Sequence, residues 1–196
     1  TYTAHDLGVI LGYANSIANY VSGDGSTIVG WSYNTQTSFS KDATGHAYYA
    51  KYDGNGNYGP LIDIGTLGGT QSNAMAADYS GSTIVGYSSD LQGTQRAFYY
   101  KNGVMNDIGS LADNFWGIGY KGFSRSYGVS SNGNIIVGES DVDNLHEHAF
   151  SYDLSTGIMS DLGTLGGFWS SAKAVNADGS VIVGQSHNQD GFTRAF

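Results

Sequence analysis

Short apolar runs alternate with polar, glycine-marked turns along the whole chain, and no stretch carries the spacing of an amphipathic helix. The clearest unit is seventeen residues long and occurs four times without gaps: SIANYVSGDGSTIVGWS (16–32), SNAMAADYSGSTIVGYS (72–88), SRSYGVSSNGNIIVGES (124–140) and SSAKAVNADGSVIVGQS (170–186). Its frame is a serine, a glycine nine residues on, then Ile-Val-Gly, one variable residue and a second serine. Each unit predicts a hairpin. Asp24-Gly25, Ser80-Gly81, Asn132-Gly133 and Asp178-Gly179 are residue types that accept the backbone angles of a tight turn. The Ile-Val-Gly run is too short for a helix and too apolar for an exposed edge, so it predicts a buried strand. Its glycine predicts close approach of another backbone.

Two further strands follow each hairpin. One carries His/Arg-Ala-Tyr/Phe, at 46–48, 96–98, 148–150 and 194–196; the other carries Asp-Leu/Ile-Gly, at 6–8, 63–65, 107–109 and 161–163. If the four strands of a unit are named A to D, the chain reads D, ABCD, ABCD, ABCD, ABC. Four strands per repeat, at this repeat length, predict an all-β fold, a β-propeller with four blades of four antiparallel strands. Residues 1–196 then form one domain, with repeats at about 16–65, 72–109, 124–163 and 170–196 plus 1–9. The first strand, 4–9, is expected to pair with 193–196 and close the ring, because both are otherwise half-blades with unpaired backbone.

Composition narrows the function classes. Glycine is abundant at 30 residues without a three-residue period, which excludes a collagen-like chain, and 15 tyrosines with regular apolar runs argue against disorder. Eight basic against seventeen acidic residues leave a net charge of −9. Nucleic acid is thus a poor partner, since phosphate neutralisation needs clustered Lys and Arg. No apolar run is long enough for membrane insertion as a helix. The absence of cysteine removes disulfides, thiolate metal sites and cysteine nucleophiles. The chain starts at Thr1, without an initiator Met or a signal-like segment, which fits a processed N-terminus or an internal boundary.

The frame DLGTLGG…SSAKAVNADGSVIVGQS…RAF (161–196) resembles bacterial extracellular repeats named for their His-Ala-Phe motif, the HAF repeats of secreted and autotransporter-type surface proteins. The likeness runs through all four repeats. It departs at Arg96 and Arg194, which replace His, at Tyr48, which replaces Phe, and at DIGSLADNFWG (107–117), which lacks the Gly-Gly pair. The resemblance implies export and a β-repeat fold, and brings no catalytic residues with it.

Candidate chemistry gathers on the face that carries the D–A and B–C loops. Trp31, Tyr33, Tyr87, Phe115, Trp116, Tyr120 and Trp169 all map there. Such rigid aromatics among small polar residues suit sugar rings or an adaptable protein interface; they equally suit a lid over the core. The repeated His46, Arg96, His148 and Arg194 are expected to be structural, pairing with backbone carbonyls or with the repeated Asp6, Asp63, Asp107 and Asp161. ESDVDNLHEH (139–148) is the one local cluster of metal-capable groups: Glu139, Asp141 and Asp143 offer oxygen ligands for Ca²⁺, and His146 and His148 suit a transition metal. The cluster lacks a glycine-framed calcium loop, so a solvated acidic loop is the favoured reading and no cofactor is expected. No nucleophile-elbow, phosphate-loop or zinc-protease motif is present. The expected function is a secreted, non-enzymatic binding or adhesion module for a glycan or surface polymer. The alternatives are a filament subunit that partners other copies of itself head to tail, and an enzyme using carboxylates in a central channel.

Overall fold

The computed structural model describes residues 3–34, 44–113, 121–143 and 145–196. Among them every regular element is a strand. The first repeat forms β1 (Asn15–Val21), β2 (Thr27–Tyr33), β3 (Gly45–Lys51) and β4 (Ile62–Asp63); the second forms β5 (Gly68–Ala77), β6 (Ile84–Asp90), β7 (Gln95–Lys101) and β8 (Val104–Asp107). The third gives β9 (Ser124–Val129), β10 (Ile135–Asp141), β11 (Glu147–Asp153) and β12 (Ile158–Asp161), and the fourth β13 (Gly166–Val175), β14 (Ile182–Asn188) and β15 (Thr193–Ala195). Within each repeat, neighbouring strands pair antiparallel in chain order. Single parallel pairings, Gly45 with Gln71 and Glu147 with Trp169, join the first two repeats into one curled sheet and the last two into another.

The turn glycines Gly25, Gly81, Gly133 and Gly179 all adopt positive φ, between 66° and 86°, where a side chain is strained. The loops are four residues long, closed by bonds such as Ser22 N–H to Thr27 O. The Ile-Val-Gly glycines have a different origin. Strand A of every repeat carries a one-residue bulge, at Asn19, Met75, Tyr127 or Lys173, which breaks the register opposite that glycine. The bulge turns a carbonyl of strand A over the glycine. A Cβ on Gly30, Gly86, Gly138 or Gly184 would collide with the carbonyl oxygen of Ile17, Asn73, Arg125 or Ser171 respectively.

The core lies between repeats. Val29 and Ala47 of the first repeat pack on Ala74, Ala77, Ile84 and Phe98 of the second. Val85 and Ala97 of the second pack on Val129, Ile136 and Phe150 of the third, and Val137 and Ala149 of the third on Ala172, with Ile182 and Phe196 of the fourth beside them. Each repeat therefore presents one face through Ile and Phe and the other through Val and Ala, as period-two alternation allows.

A repeated serine locks each of these boundaries. Ser72 Oγ accepts the N–H of Ala47 at 2.8 Å and donates to Gly65 O at 2.5 Å. Ser124 does the same for Ala97 and Gly109 (2.9 and 2.7 Å), and Ser170 for Ala149 and Gly163 (2.8 and 2.6 Å). The second serine of each unit, Ser32, Ser88, Ser140 or Ser186, accepts the N–H of Ile10, Leu67, Leu111 or Leu165 and so holds the D–A connection.

The expected ring closure is not formed. Among the described residues no hydrogen bond or ladder joins 3–9 to 193–196. Instead, the N-terminal segment is held by its own repeat, through Ser16 Oγ–H to Gly8 O at 2.6 Å and Ile10 N–H to Ser32 Oγ at 3.2 Å.

Replacing Ser124 by Ala strands the buried N–H of Ala97, so it should cost about 1–3 kcal/mol of unfolding free energy in urea titrations. Ser16→Ala removes only the exposed bond to Gly8 O and strands no buried N–H, so it should cost less. Equal losses at the two positions would show that the serine is not the lock.

Candidate functional site

Two positions in each repeat flank the fixed serines and vary. The residue after the first serine faces, across the A–B ladder, the residue before the second: Ile17 with Trp31, Asn73 with Tyr87, Arg125 with Glu139, Ser171 with Gln185. The bulge residues lie two positions further along strand A. Of these side chains Ile17, Asn19, Trp31, Asn73, Tyr87 and Arg125 come together, beside B–C loop residues such as Leu91 and Gln92.

A groove of about 1010 Å³ opens there. Its aromatic walls are Trp31 and Tyr87, and its polar lining includes Asn19, Asn73, Gln95 and Arg125. The Gly-Gly segment after β4 brings bare backbone to the groove at Gly69; Thr66 Oγ1 holds that turn by donating to Gly69 O at 2.9 Å. The lining groups are mutually fixed. Asn19 Nδ2 donates to Asn73 Oδ1 (2.7 Å) and Ala74 O (2.8 Å), and Asn73 Nδ2 donates to the Tyr87 hydroxyl at 3.2 Å. The Arg125 guanidinium sits 5.0 Å from the Tyr87 ring centre and donates through Nε to Gln95 Oε1 at 2.7 Å. Such a cation–π contact pins both side chains.

Of the predicted aromatic face, the structure brings Trp31 and Tyr87 into this groove. Trp31 is buried, at 7% exposure, and stacks on Tyr33 with ring centres 4.3 Å apart; Tyr33 thus backs the wall without lining it. Trp169 belongs to the fourth repeat, against His187 at 5.2 Å, and is not among the groove residues. Phe115, Trp116 and Tyr120 lie outside the described residues. Arg125, Asn73 and Gln95 were not singled out from the sequence. Their signal is present in it nonetheless for the first two, as the variable slots within an otherwise fixed frame.

The acidic cluster is dispersed. Glu139 is 5% exposed and accepts the Tyr127 hydroxyl at 2.5 Å. Arg125 and Lys173 stand 3.8 and 3.9 Å from its carboxylate, and Lys173 Nζ lies 3.8 Å from the Tyr127 ring centre. Burial and the Glu139 charge push the Tyr127 hydroxyl far above its ordinary range, while burial pulls Lys173 down against the opposing pull of Glu139. Asp141 instead accepts the N–H of Phe123 at 2.9 Å, and Asp143 accepts backbone N–H groups of Leu145 and His146. Among the described residues no group of three His, Asp or Glu is placed to hold a metal ion.

Three of the four repeated basic residues pair with repeated aspartates, whereas Arg194 donates to Thr193 O. His46 meets Asp63 at 2.8 Å and His148 meets Asp161 at 2.9 Å. Arg96 is buried, joined to Asp107 at 3.1 Å and to Asp113 at 2.6 Å, and also donates to Gly122 O. Asp113 comes from DIGSLADNFWG, where the Gly-Gly pair is lost: the departure supplies the second carboxylate that a buried guanidinium needs.

The assembly has a β-propeller-like fold. The chain is similar to a putative TolB from Agrobacterium tumefaciens (13% identity, TM-score 0.60, 92% of this chain and 57% of that one). It is also similar to a puromycin hydrolase (12%, 0.62, 94% and 27%) and to TolB from Acinetobacter baumannii (17%, 0.51, 91% and 42%). It therefore spans well under two thirds of each of these structures, and at these identities the likeness is one of fold. No family model and no curated protein sequence matches the chain.

Asp113 gives an acid signature. Burial pushes its carboxyl up, but the bonds from Arg96 and Ser110 outweigh that and hold it below the usual carboxylate range. A depressed folded-state value means stability that is present above the unfolded value and lost as pH falls through the folded one. Asp113→Asn should lower stability at neutral pH by about 2–3 kcal/mol and flatten the loss of stability below about pH 4. Unfolding midpoints measured from pH 7 to pH 2 check this; an unchanged acid limb in the variant would refute it.

Proposed function

We propose that the chain is a secreted, non-enzymatic binding module of four propeller blades, and that it takes a glycan or surface polymer in the groove between Trp31, Tyr87 and Arg125. The observation that carries this reading is the composition of the groove. An aromatic wall stands opposite amides already fixed in position: Asn19 and Asn73 bond each other, and Asn73 bonds Tyr87. Sugar C–H faces stack on aromatic rings, and fixed amides and a guanidinium satisfy hydroxyls without reorganisation. The face also lies where the repeat frame tolerates variation, so its chemistry is independent of the lock that holds the fold. The scarcity of cations, eight in the whole chain, favours a neutral or weakly acidic ligand over a polyphosphate. Export is the expectation carried by the likeness to HAF repeats.

Glycan-array screening followed by titration tests the reading. A bound saccharide should shift tryptophan emission through Trp31. Tyr87→Ala should weaken its affinity about tenfold or more while the thermal midpoint moves little, since that side chain lies outside the inter-repeat core; Arg125→Ala should weaken it likewise but also lower the midpoint, because the buried Glu139 then loses one of its two cations. Failure of every saccharide and surface polymer to bind, or full affinity in both variants, would sink the proposal.

A further inference from the structure

The groove carries one basic side chain among the described residues, Arg125, and the surrounding strands fix it closely. Its Nε donates to Gln95 Oε1 at 2.7 Å. Two rings stand against the guanidinium, Tyr87 with its centre 5.0 Å away and Phe123 with its centre 4.7 Å away. Three places in the fold thus hold it: β6 through Tyr87, β7 through Gln95, and the residue just before β9, Phe123. A guanidinium presents five N–H groups in a rigid plane. With Nε committed to a neutral amide, the Nη1–Nη2 edge is the part left to meet a ligand.

The charges around this edge do not cancel. The nearest carboxylate is Glu139, whose Oε1 lies 3.8 Å from Nη1, beyond a direct hydrogen bond. Glu139 already accepts the Tyr127 hydroxyl at 2.5 Å, and its Oε2 has a second cation, Lys173 Nζ, at 3.9 Å. One buried carboxylate therefore stands between two cations, in a chain that has eight in all. The two cations act on each other: burial pulls the Lys173 ammonium down, Glu139 opposes this, and the Arg125 charge adds to the pull. Two further carboxylates belong to the surroundings. Asp90 lines the groove but gives its Oδ1 to the N–H groups of Gln92 and Thr94, both at 2.9 Å. Glu147 is pushed up by burial and by the charges of Glu139 and Asp141, against smaller pulls from Trp169 and Arg125, which makes it a weak counter-ion.

We propose that the groove takes a saccharide bearing a carboxylate, as on a uronic acid unit, and that the Nη1–Nη2 edge of Arg125 receives that carboxylate while the sugar lies against Trp31 and Tyr87. This rests on the reading of the groove as a saccharide site and narrows it to weakly acidic ligands. A carboxylate matches the planar fork with two parallel bonds, as a hydroxyl does not, and a single one supplies the negative charge that the pair of cations lacks. A densely charged polymer would instead meet the net charge of −9. One acidic unit in the groove escapes most of that repulsion, because charges beyond about 8 Å are screened at physiological salt.

Titration calorimetry with matched ligands tests the proposal. Oligogalacturonate, oligoglucuronate and oligomannuronate are each measured as the free acid and as the methyl ester, beside the neutral saccharides that bind best. In the wild type the tightest acid should bind about tenfold or more tighter than its own ester. Arg125→Lys keeps a cation beside Glu139 but loses the planar fork; it should remove most of that ratio while the ester loses less. Glu139→Gln keeps an acceptor for the Tyr127 hydroxyl and removes the competing charge, so the ratio should widen about threefold or more. Unfolding midpoints confirm that each variant is folded at the temperature of measurement. A role of Arg125 in packing alone predicts equal losses for acid and ester. Acid and ester bound alike by the wild type, neutral saccharides bound more tightly than every acid, or a ratio that survives Arg125→Lys would each overturn the proposal and leave the saccharide reading standing. If no saccharide binds, acidic or neutral, the reading of the groove falls and this proposal falls with it.

Discussion

One hydroxyl per repeat carries the organisation of this fold. The serine at the start of strand A holds two backbones at once, accepting from an alanine of the preceding repeat and donating to the glycine carbonyl of the strand that leads into its own. Both partners sit at the junction between strands of successive repeats, and the hydroxyl satisfies both of them. A buried amide without a partner costs more than an ordinary hydrogen bond contributes. The serine thus ties one meander to the next at the same boundary where the Val/Ala and Ile/Phe faces pack. The ion pairs at the rim add to the same boundary, but two of the three are half-exposed and contribute less.

The groove depends on a second constraint, the bulge in strand A. By turning one carbonyl over the glycine of the neighbouring strand, the bulge releases a side chain from the ladder and lets it project among its counterparts. Asn19, Met75, Tyr127 and Lys173 hold these places. In the first two repeats they and their neighbours make an amide and aromatic wall; in the third and fourth they surround the buried Glu139 with Tyr127, Arg125 and Lys173. One backbone plan thereby supports an uncharged half and a compensated charged half. Arg125 belongs to both, which places the cation at the groove's edge.

Much of the fold was legible because its constraints are local and occur four times. The glycines at the turns and in Ile-Val-Gly announced positive φ and close backbone approach, and both are present. Three of the four basic residues were readable as partners of the repeated aspartates for the same reason. The groove was only half legible. Trp31 and Tyr87 stand out as aromatics, but Arg125 and Asn73 are ordinary surface residues until the bulge and the curl of the sheet bring successive repeats together. Trp169 shows the converse: an aromatic at a comparable loop sits in a different repeat and away from the groove. The acidic run 139–143 is continuous in sequence, yet β10 ends at Asp141, so Glu139 is buried within the strand and Asp143 lies beyond its end, where it caps a loop. Strand counting says what each end of the chain needs and not which segment meets it: residues 3–9 are held by Ser16 and Ser32 of their own repeat.

Every packed boundary joins repeats adjacent in the chain, and this shapes how the molecule comes apart. A protein built this way behaves as a one-dimensional array, its stability divided between units and the junctions that couple them. The second and third repeats are gripped on both sides, the first and fourth on one. Opening of β1 and β14 therefore breaks fewer packed contacts than opening of β6 and β10, whose amide protons are expected to exchange with solvent later. Among the described residues the second and third repeats are thus the part held hardest, and remodelling of either requires two junctions to give way.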